Sequence, residues 1–422
     1  MHAVVVALGK IGLPLAAQIA RAGHDVVGCD NDDRVVELVN AAQEPFPGEA
    51  GLAEALAELV PAGRLRATTD TAAAVAEGPE LIVAIPPLSV DDHAKPDYSV
   101  LDAVLADIGR GLKPGAVVSV ETTIPVGTTR GRIAPTLAEV SGLVAEHDFY
   151  AVHSPERVYA GRIFSDLASY PKLVGGLSEA GEQRAVELYR SFLDAEVRPM
   201  GSAEAAELTK LAETTYRDVN IALANEFARF ADRTGIDIDG VIDAANSQPF
   251  SHVHRPGIAV GGHCIPVYPR FYLAGDPEAR LPAAAREVNE AMPAYAVSLL
   301  ADDLAQGLDG ARVLILGVTY RGDVKETALS GAFAVKRELE RRGADVVAAD
   351  PLYSDAELRA IGFQPWDGGD VDAAIVQADH RRYATLGPAD VPGARVIVDG
   401  RGILEREPWA AAGVIVRRIG RP

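Results

Sequence analysis

The sequence predicts an α/β protein: two Rossmann-like, doubly wound parallel-sheet domains joined by a central helical region with one long helix. Three observations lead there. Short apolar runs alternate with helical patterns over the first 200 residues, an unbroken helical stretch starts at Ser202, and the alternation resumes near residue 309. A chain of 422 residues also exceeds what one hydrophobic core organises, so several domains are expected.

The first domain, 1–200, opens with the strand "AVVVAL", the helix "GLPLAAQIARAG", the strand "DVVGCD" and a helix through "RVVELVN". The strands "LIVAIP" and "AVVSVETT" follow, an order that implies a parallel sheet. "EPFPGEAG", residues 44–51, reads as a surface loop. In the central region, 201–308, Ser202 is a suitable N-cap and Gly235 a suitable stop for a helix of 202–234. Such a helix is roughly 50 Å long, more than one small domain needs. Its apolar positions Leu208, Leu211, Val219, Leu223 and Phe227 predict a homodimer built around it, with the active site near the interface. The third domain, 309–422, reads as strand and loop in "ARVLILGVTYRGD", helix in "SGAFAVKRELERRG", then strands in "DVVAADP", "DAAIVQAD" and "RVIVDGRGI".

Bulk properties narrow the function. A formal net charge of -20 speaks against a nucleic-acid or membrane-surface binder, since both need a basic face. No apolar run is long enough to span a membrane. The chain enters a strand at once, with neither a basic start nor a cleavage site, so no secretory leader is expected. Cys29 and Cys264 are too few for a disulfide framework, and a reducing cytoplasm fits. Neither cysteine has a partner at metal-ligand spacing, so no metal is expected.

"VVVALGKIGLPLA" places Gly9 and Gly12 between a strand and a helix, with Ala7 where the dinucleotide pattern GxGxxG has its first glycine. Such glycines allow close approach of a pyrophosphate, which the helix N-terminus attracts. Asp30 ends the second strand, where a carboxylate accepts both ribose hydroxyls and repels a 2′-phosphate. NAD rather than NADP is the expected cofactor. The other reading is an ordinary strand-to-helix turn with a surface aspartate.

"GGHCIPVYP", residues 261–269, sets Cys264 in a glycine- and proline-lined loop rather than in an apolar run. A structural cysteine behaves as a small hydrophobe inside an element. One in an open loop is a candidate nucleophile.

Three more stretches complete a pattern: "ETTIPVGTT" (121–129), "SPERVYAG" (154–161) and "LTKLAETTYRDVNIALANE" (208–226). With "GKIGLPLA" and "GGHCIPV" in this order, the chain resembles the UDP-glucose/GDP-mannose dehydrogenase family over nearly its whole length, including "DVVAADP" and "VIVDGRGIL". It looks most like the bacterial UDP-N-acetylhexosamine branch, whose cysteine loop reads GGHCIPV. The resemblance implies an NAD-dependent, four-electron oxidation of a sugar C6 alcohol to a carboxylate, with the third domain binding the nucleotide. The residues agree with that chemistry, because a thiolate can hold the intermediate aldehyde as a thiohemiacetal that becomes a thioester.

The resemblance also assigns roles. Catalysis falls to Cys264, Lys210, Thr123, Glu156 and Thr214: Lys210 matches the active-site lysine, Thr123 the threonine that positions the water, and Glu156 a glutamate proposed as base or water-orienting group. The other reading of Glu156 is a surface ion pair with Arg157. Cofactor contacts fall to Gly9, Lys10, Ile11, Gly12, Asp30, Pro86, Thr122 and Thr123. Substrate contacts fall to Glu156, Arg157, Lys210, Arg255, Gly261, Gly262, Tyr320 and Arg321, with Arg255 reaching across a subunit interface.

Two positions depart from the family pattern: Thr214 stands for its asparagine and Tyr268 for its aspartate. A tyrosine, with a reference pKa of about 10, cannot serve as a carboxylate near neutrality. The chain is therefore either an active, divergent branch or one that is slow, stops at the aldehyde, or senses nucleotide sugars. A β-hydroxyacid dehydrogenase also pairs a Rossmann domain with a lysine-bearing helix, but it needs neither the cysteine nor the third domain.

Overall fold

In the computed structural model, which describes residues 1–159 and 161–421, the chain divides into two units. One comprises Met1–Glu213 with Arg270–Asp276, the other Thr214–Pro269 with Pro277–Pro422.

The first unit contains strands β1 (His2–Val6), β2 (Asp25–Cys29), β3 (Leu65–Thr68), β4 (Leu81–Ala84), β5 (Ser89–Val90), β6 (Pro96–Asp97), β7 (Val117–Val120), β8 (Tyr150–His153), β9 (Lys172–Gly176) and β10 (Val197–Pro199). Eight of them form one sheet in the order β10-β9-β8-β7-β4-β1-β2-β3, while β5 and β6 make a small antiparallel hairpin. The central strands β1, β4 and β7 are almost wholly buried apolar runs, as expected when helices cover both faces. The predicted parallel arrangement holds at six of the seven junctions. The exception is β8 against β9, which is antiparallel, pairing Val152 with Gly176 and His153 with Gly175. Among the described residues only a short helix, Ile163–Ser169, lies in the connection, and β9 returns beside β8 instead of crossing over. The reversal brings the first residue of β9 to the end of the sheet where β7 and β8 finish.

The second unit contains β11 (Arg312–Leu316), β12 (Asp345–Ala349), β13 (Gln364–Pro365), β14 (Ala373–Val376), β15 (Val396–Asp399) and β16 (Ile415–Arg418). They form a wholly parallel sheet in the order β13-β12-β11-β14-β15-β16. In each sheet the strand order reverses beside the first strand, between β1 and β4 and between β11 and β14. Ligands of open α/β sheets bind at the carboxyl ends of such a switch point. The loops after β1 and β11 therefore stand where binding residues are expected.

The long helix runs Ala203–Thr234. The Ser202 hydroxyl accepts the Ala205 N–H at 3.1 Å, and Gly235, at φ 73°, ends it. Of the apolar positions expected at an interface, Leu208, Leu223 and Phe227 are exposed. Leu211 is fully buried within the chain and Val219 partly so. Tyr216 and Phe230 join the exposed set. Among the described residues no helix is long and apolar enough to cross a membrane.

Candidate functional site

In the first unit the loop after β1 is shaped for a dinucleotide. Ala7 adopts φ 75°, the conformation a glycine would supply, and its N–H donates to the Cys29 carbonyl at 2.8 Å. A Cβ at residue 12 would lie 1.9 Å from the Ala7 carbonyl oxygen, so only glycine fits there. At Gly9 nothing lies within 4 Å of such a Cβ, leaving the backbone open to a ligand. The helix Gly12–Arg21 starts after Ile11 without a side-chain cap. The Leu13 N–H donates to the Gly9 carbonyl at 3.2 Å and Pro14 has no N–H, so the start of this helix favours an anion through its dipole rather than through a row of open amides. Asp30 accepts the Leu8 N–H on one carboxylate oxygen at 2.8 Å and the Asp32 N–H on the other at 3.0 Å. Each oxygen keeps a lone pair for a ribose hydroxyl. Lys10 is exposed. Across the switch point the Thr122 hydroxyl donates to the Pro86 carbonyl at 2.5 Å, joining two expected cofactor residues, with Thr123 buried beside them. These residues fit NAD.

Lys210 lies on the long helix, one turn past Glu207. The buried Glu207 carboxylate accepts the N–H groups of Gly127 (2.6 Å) and Thr129 (2.8 Å) and the Thr129 hydroxyl (2.6 Å). It pins the start of the helix to the "PVGTT" loop that follows Thr123.

Glu156 does not pair with the Arg157 side chain. Arg157 binds Glu213 at 2.6 Å, while the Glu156 carboxylate accepts the backbone N–H groups of Arg157 (2.5 Å) and Val158 (2.7 Å). Its other oxygen faces Lys172 Nζ at 3.4 Å, and Lys172 in turn bonds Glu121 at 2.7 Å. The Tyr189 hydroxyl donates to Glu121, with Ser119 Oγ 2.8 Å from that hydroxyl. Burial works to raise Glu156, but the Lys172 ammonium and the two N–H groups overcome it and hold the carboxyl below its ordinary range. Burial wins at Glu121, pushing it up to about 7 against the pull of Lys172. "EPFPGEAG" is more than the predicted surface loop: the Glu49 carboxylate accepts the N–H groups of Gly161 and Ile163, both at 2.6 Å, tying it to the chain beyond Glu156.

In the second unit Cys264 is exposed, whereas burial pushes the Cys29 thiol up to about 12. The Cys264 carbonyl accepts the Tyr268 N–H at 2.8 Å. Gly261 and Gly262, expected to contact substrate, also leave space for the chain's own Tyr320. A Cβ at 261 would meet Tyr320 Cβ at 2.8 Å, and one at 262, where φ is 91°, would meet the Tyr320 ring at 3.1 Å. The Gly262 N–H donates to Ala328 at 2.9 Å, and His263 contacts Glu326 at 2.6 Å. The cysteine loop is thus stitched to the loop after β11, which carries Tyr320 and the exposed Arg321. Thr214 is buried on the long helix, four residues past Lys210. Arg255 is turned to Asp239 at 3.3 Å and to Asp243 in its own unit.

Other residues of the second unit carry weight that sequence spacing did not reveal. Arg401 donates to the carbonyls of Gln377 (2.7 Å) and Tyr320 (3.2 Å), so its guanidinium is held by carbonyls rather than by a carboxylate. Its only sequence signal is its place in "DGRGI", just past β15. Asp218 pairs with Arg286 at 2.7 Å and accepts from Asn289 at 2.8 Å, all three buried. Asn225, bonded to Asn289 at 2.9 Å, accepts the Gly257 N–H at 3.0 Å and anchors the approach to the cysteine loop. Asp350 stands after β12 as Asp30 stands after β2, and likewise accepts an amide of the loop after the first strand, Val318 at 2.8 Å. But His380 bonds it at 3.1 Å, and both are buried, so this carboxylate is closed to a ribose.

Three segments match the UDP-glucose/GDP-mannose dehydrogenase family: its NAD binding domain over residues 1–193, its central domain over 204–291 and its UDP binding domain over 314–406. The chain is 35% identical over 432 aligned residues to a UDP-N-acetyl-D-mannosamine dehydrogenase of Pyrococcus horikoshii, covering 100% of this chain and 99% of that protein. A solved UDP-D-ManNAc dehydrogenase from Pyrococcus horikoshii superposes with a TM-score of 0.89 at 33% identity, covering 100% and 99% of the two chains. A UDP-glucose dehydrogenase from Pyrobaculum islandicum superposes with a TM-score of 0.88 at 27% identity, covering 100% and 98%.

Proposed function

Because this chain belongs to the UDP-glucose/GDP-mannose dehydrogenase family, we propose that it oxidises the C6 alcohol of UDP-N-acetyl-D-mannosamine, or of a close UDP-N-acetylhexosamine, to the uronic acid. It is an NAD-dependent nucleotide-sugar 6-dehydrogenase. What carries the choice of sugar is the full-length similarity to UDP-N-acetyl-D-mannosamine dehydrogenases. The fold alone does not discriminate, since a UDP-glucose dehydrogenase superposes equally well.

NAD, held by the loop of Gly9–Gly12 and by Asp30, supplies the hydride acceptor. In this reading Lys210 stabilises the alkoxide formed as the alcohol passes its proton to solvent, and departure of a hydride from C6 to the bound cofactor leaves the aldehyde. The Cys264 thiolate then adds to the aldehyde carbon, making a C–S bond. Loss of a hydride from that thiohemiacetal leaves a thioester. Thr123 and Glu156 orient a water that attacks the acyl carbon, Glu156 takes its proton, and the C–S bond breaks to return the thiolate. Thr214 offers a hydroxyl one turn from Lys210. Tyr320, Arg321, Arg157 and the Gly261–Gly262 turn are assigned to the sugar nucleotide, and Arg401, hydrogen-bonded to the carbonyls of Gln377 and Tyr320, joins them as a contact for the diphosphate. Three domains, 1–200, 201–308 and 309–422, remain the proposed division of labour. Two free cysteines suit the reducing cytoplasm.

The test is a panel of UDP-N-acetyl-D-mannosamine, UDP-N-acetyl-D-glucosamine, UDP-glucose and GDP-mannose, each with NAD and with NADP, read by nicotinamide absorbance. The expected result is the highest kcat/KM with a UDP-N-acetylhexosamine and NAD. Preference for GDP-mannose would contradict the substrate assignment, and equal rates with NADP would contradict the role of Asp30. Asp30→Ala should weaken NAD binding by about 1–3 kcal/mol, the scale for losing hydrogen bonds to a charged group, as calorimetry can check.

The assembly proposed is a homodimer through the long helix. Tyr216, Leu223, Phe227 and Phe230 lie seven, four and three residues apart on one exposed face. A contiguous apolar face of this kind marks an interaction surface. Phe227→Asp should turn a dimer into a monomer in light scattering at micromolar concentration. A monomeric unmutated protein would rule the dimer out.

Tyr268 favours a second reading, in which turnover stops at the aldehyde. The yield of NADH per sugar separates the two.

A further inference from the structure

We propose that Lys172, backed by Glu121, is a positioning residue for Glu156: it holds that carboxylate ionised and aimed from behind the site. The inference rests on the reading of Glu156 as the group that orients and deprotonates water. It starts from the one antiparallel junction of the first sheet. β8 and β9 pair Val152 with Gly176 and His153 with Gly175. Extending that register by three pairs sets Glu156 opposite Lys172, and Ser154 Oγ, donating to the Leu173 carbonyl at 2.7 Å, continues the pairing partway. A crossover connection to a parallel β9 would have put Lys172 at the far end of the sheet. The reversal therefore has a consequence for the site: it delivers an ammonium to a loop carboxylate.

Burial deepens along the row. The Glu156 side chain is 13% exposed, Lys172 6% and Glu121 0%. Only Glu156 has an edge open to a reacting molecule. The groups facing it are few. From its own loop come the two N–H groups, with the Arg157 side chain taken by Glu213 of the long helix. β9 supplies Lys172, and the end of β7 supplies Glu121. Tyr189, on the helix Glu179–Arg190, faces Glu121 and Lys172, with its ring 5.3 Å from Lys172 Nζ. His153, at the end of β8, is buried with both ring nitrogens unpartnered, and burial pushes it down to about 3, so it is neutral and adds no charge. Among the described residues Lys172 is thus the one cation that bonds both carboxyl groups in this dry setting. Take it away and Glu156 loses the largest influence that opposes its burial, so its pKa must rise. Glu121 loses the same cation, so its own pKa rises further and it supplies nothing that would favour the ionised form of Glu156.

The experiment compares pH profiles of kcat for the full-length enzyme with UDP-N-acetyl-D-mannosamine and NAD. Lys172→Met should move the acid limb upward by about 1–3 pH units, the scale for losing an adjacent opposite charge. KM for both substrates should stay within about twofold, because neither is touched. Should Lys172→Met fail to fold, Lys172→Met with Glu121→Gln removes both buried partners and should show the same upward limb. A merely structural lysine would lower activity at every pH and leave the limb in place; that outcome overturns the proposal. Glu156→Gln serves as the separate check. If it abolishes turnover while the limb of the Lys172 variants is unmoved, Lys172 alone is misassigned. If Glu156→Gln keeps near-normal turnover, the role of Glu156 fails and the proposal with it.

Discussion

Cys264→Ala should lose overall turnover by at least about a thousandfold, the scale for removing a group that acts as one unit with its neighbours. The physical reason is specific to the second oxidation. An aldehyde has no hydride to give until a nucleophile makes it tetrahedral, and the exposed Cys264 is the assigned nucleophile. The alanine variant should still bind NAD, since Asp30 and the Gly9–Gly12 loop belong to the other unit. Offered the aldehyde, it should reduce it to the alcohol with NADH but not oxidise it to the acid. Cys264→Ser keeps a nucleophilic oxygen of much lower acidity than a thiol. It should fall nearly as far while accumulating a slowly hydrolysed ester, visible as a mass increase on the intact protein. Near-normal acid production by Cys264→Ala would remove the covalent step from the mechanism.

Lys210→Met should lower kcat by about a hundred- to a thousandfold with a much smaller change in KM, because an ammonium at a developing alkoxide acts in the transition state more than in the ground state. Methionine keeps most of the length of the side chain, and Glu207 still pins the helix to the Gly127–Thr129 turn, so the backbone should be unchanged. Steady-state kinetics with saturating NAD reads the effect. An equal loss in KM and none in kcat would make Lys210 a binding residue instead.

The fold was legible wherever one periodicity dominated. The buried runs of β1, β4, β11 and β14, the Ser202 cap and the Gly235 stop all announce themselves locally. The reversal of β9 did not, because parallel and antiparallel strands carry the same apolar pattern when both faces are buried. The Glu121–Lys172 pair was hidden with it: its members are 51 residues apart, and only that reversal joins them. Local motifs do not show by themselves what their residues pack against. The glycines before Cys264 signal close approach, and one group that approaches them is the chain's own Tyr320, by its Cβ at Gly261 and its ring at Gly262. Leu211 looked like an interface residue and is core, since helix periodicity marks a face without saying what covers it. Glu49, in a loop rich in proline and glycine, gave no sign that its carboxylate would hold the segment beyond Glu156.

If one enzyme carries the sugar through both oxidations, the number of NADH formed per molecule of UDP-N-acetylhexosamine consumed records it. A limiting amount of the sugar nucleotide, excess NAD and a reaction run to completion give the number without kinetic assumptions. Two NADH per sugar are expected, with the uronic acid as the only sugar product. One NADH per sugar, with the aldehyde left over, would contradict it and place Tyr268, where the family has a carboxylate, at the point where the reaction stops.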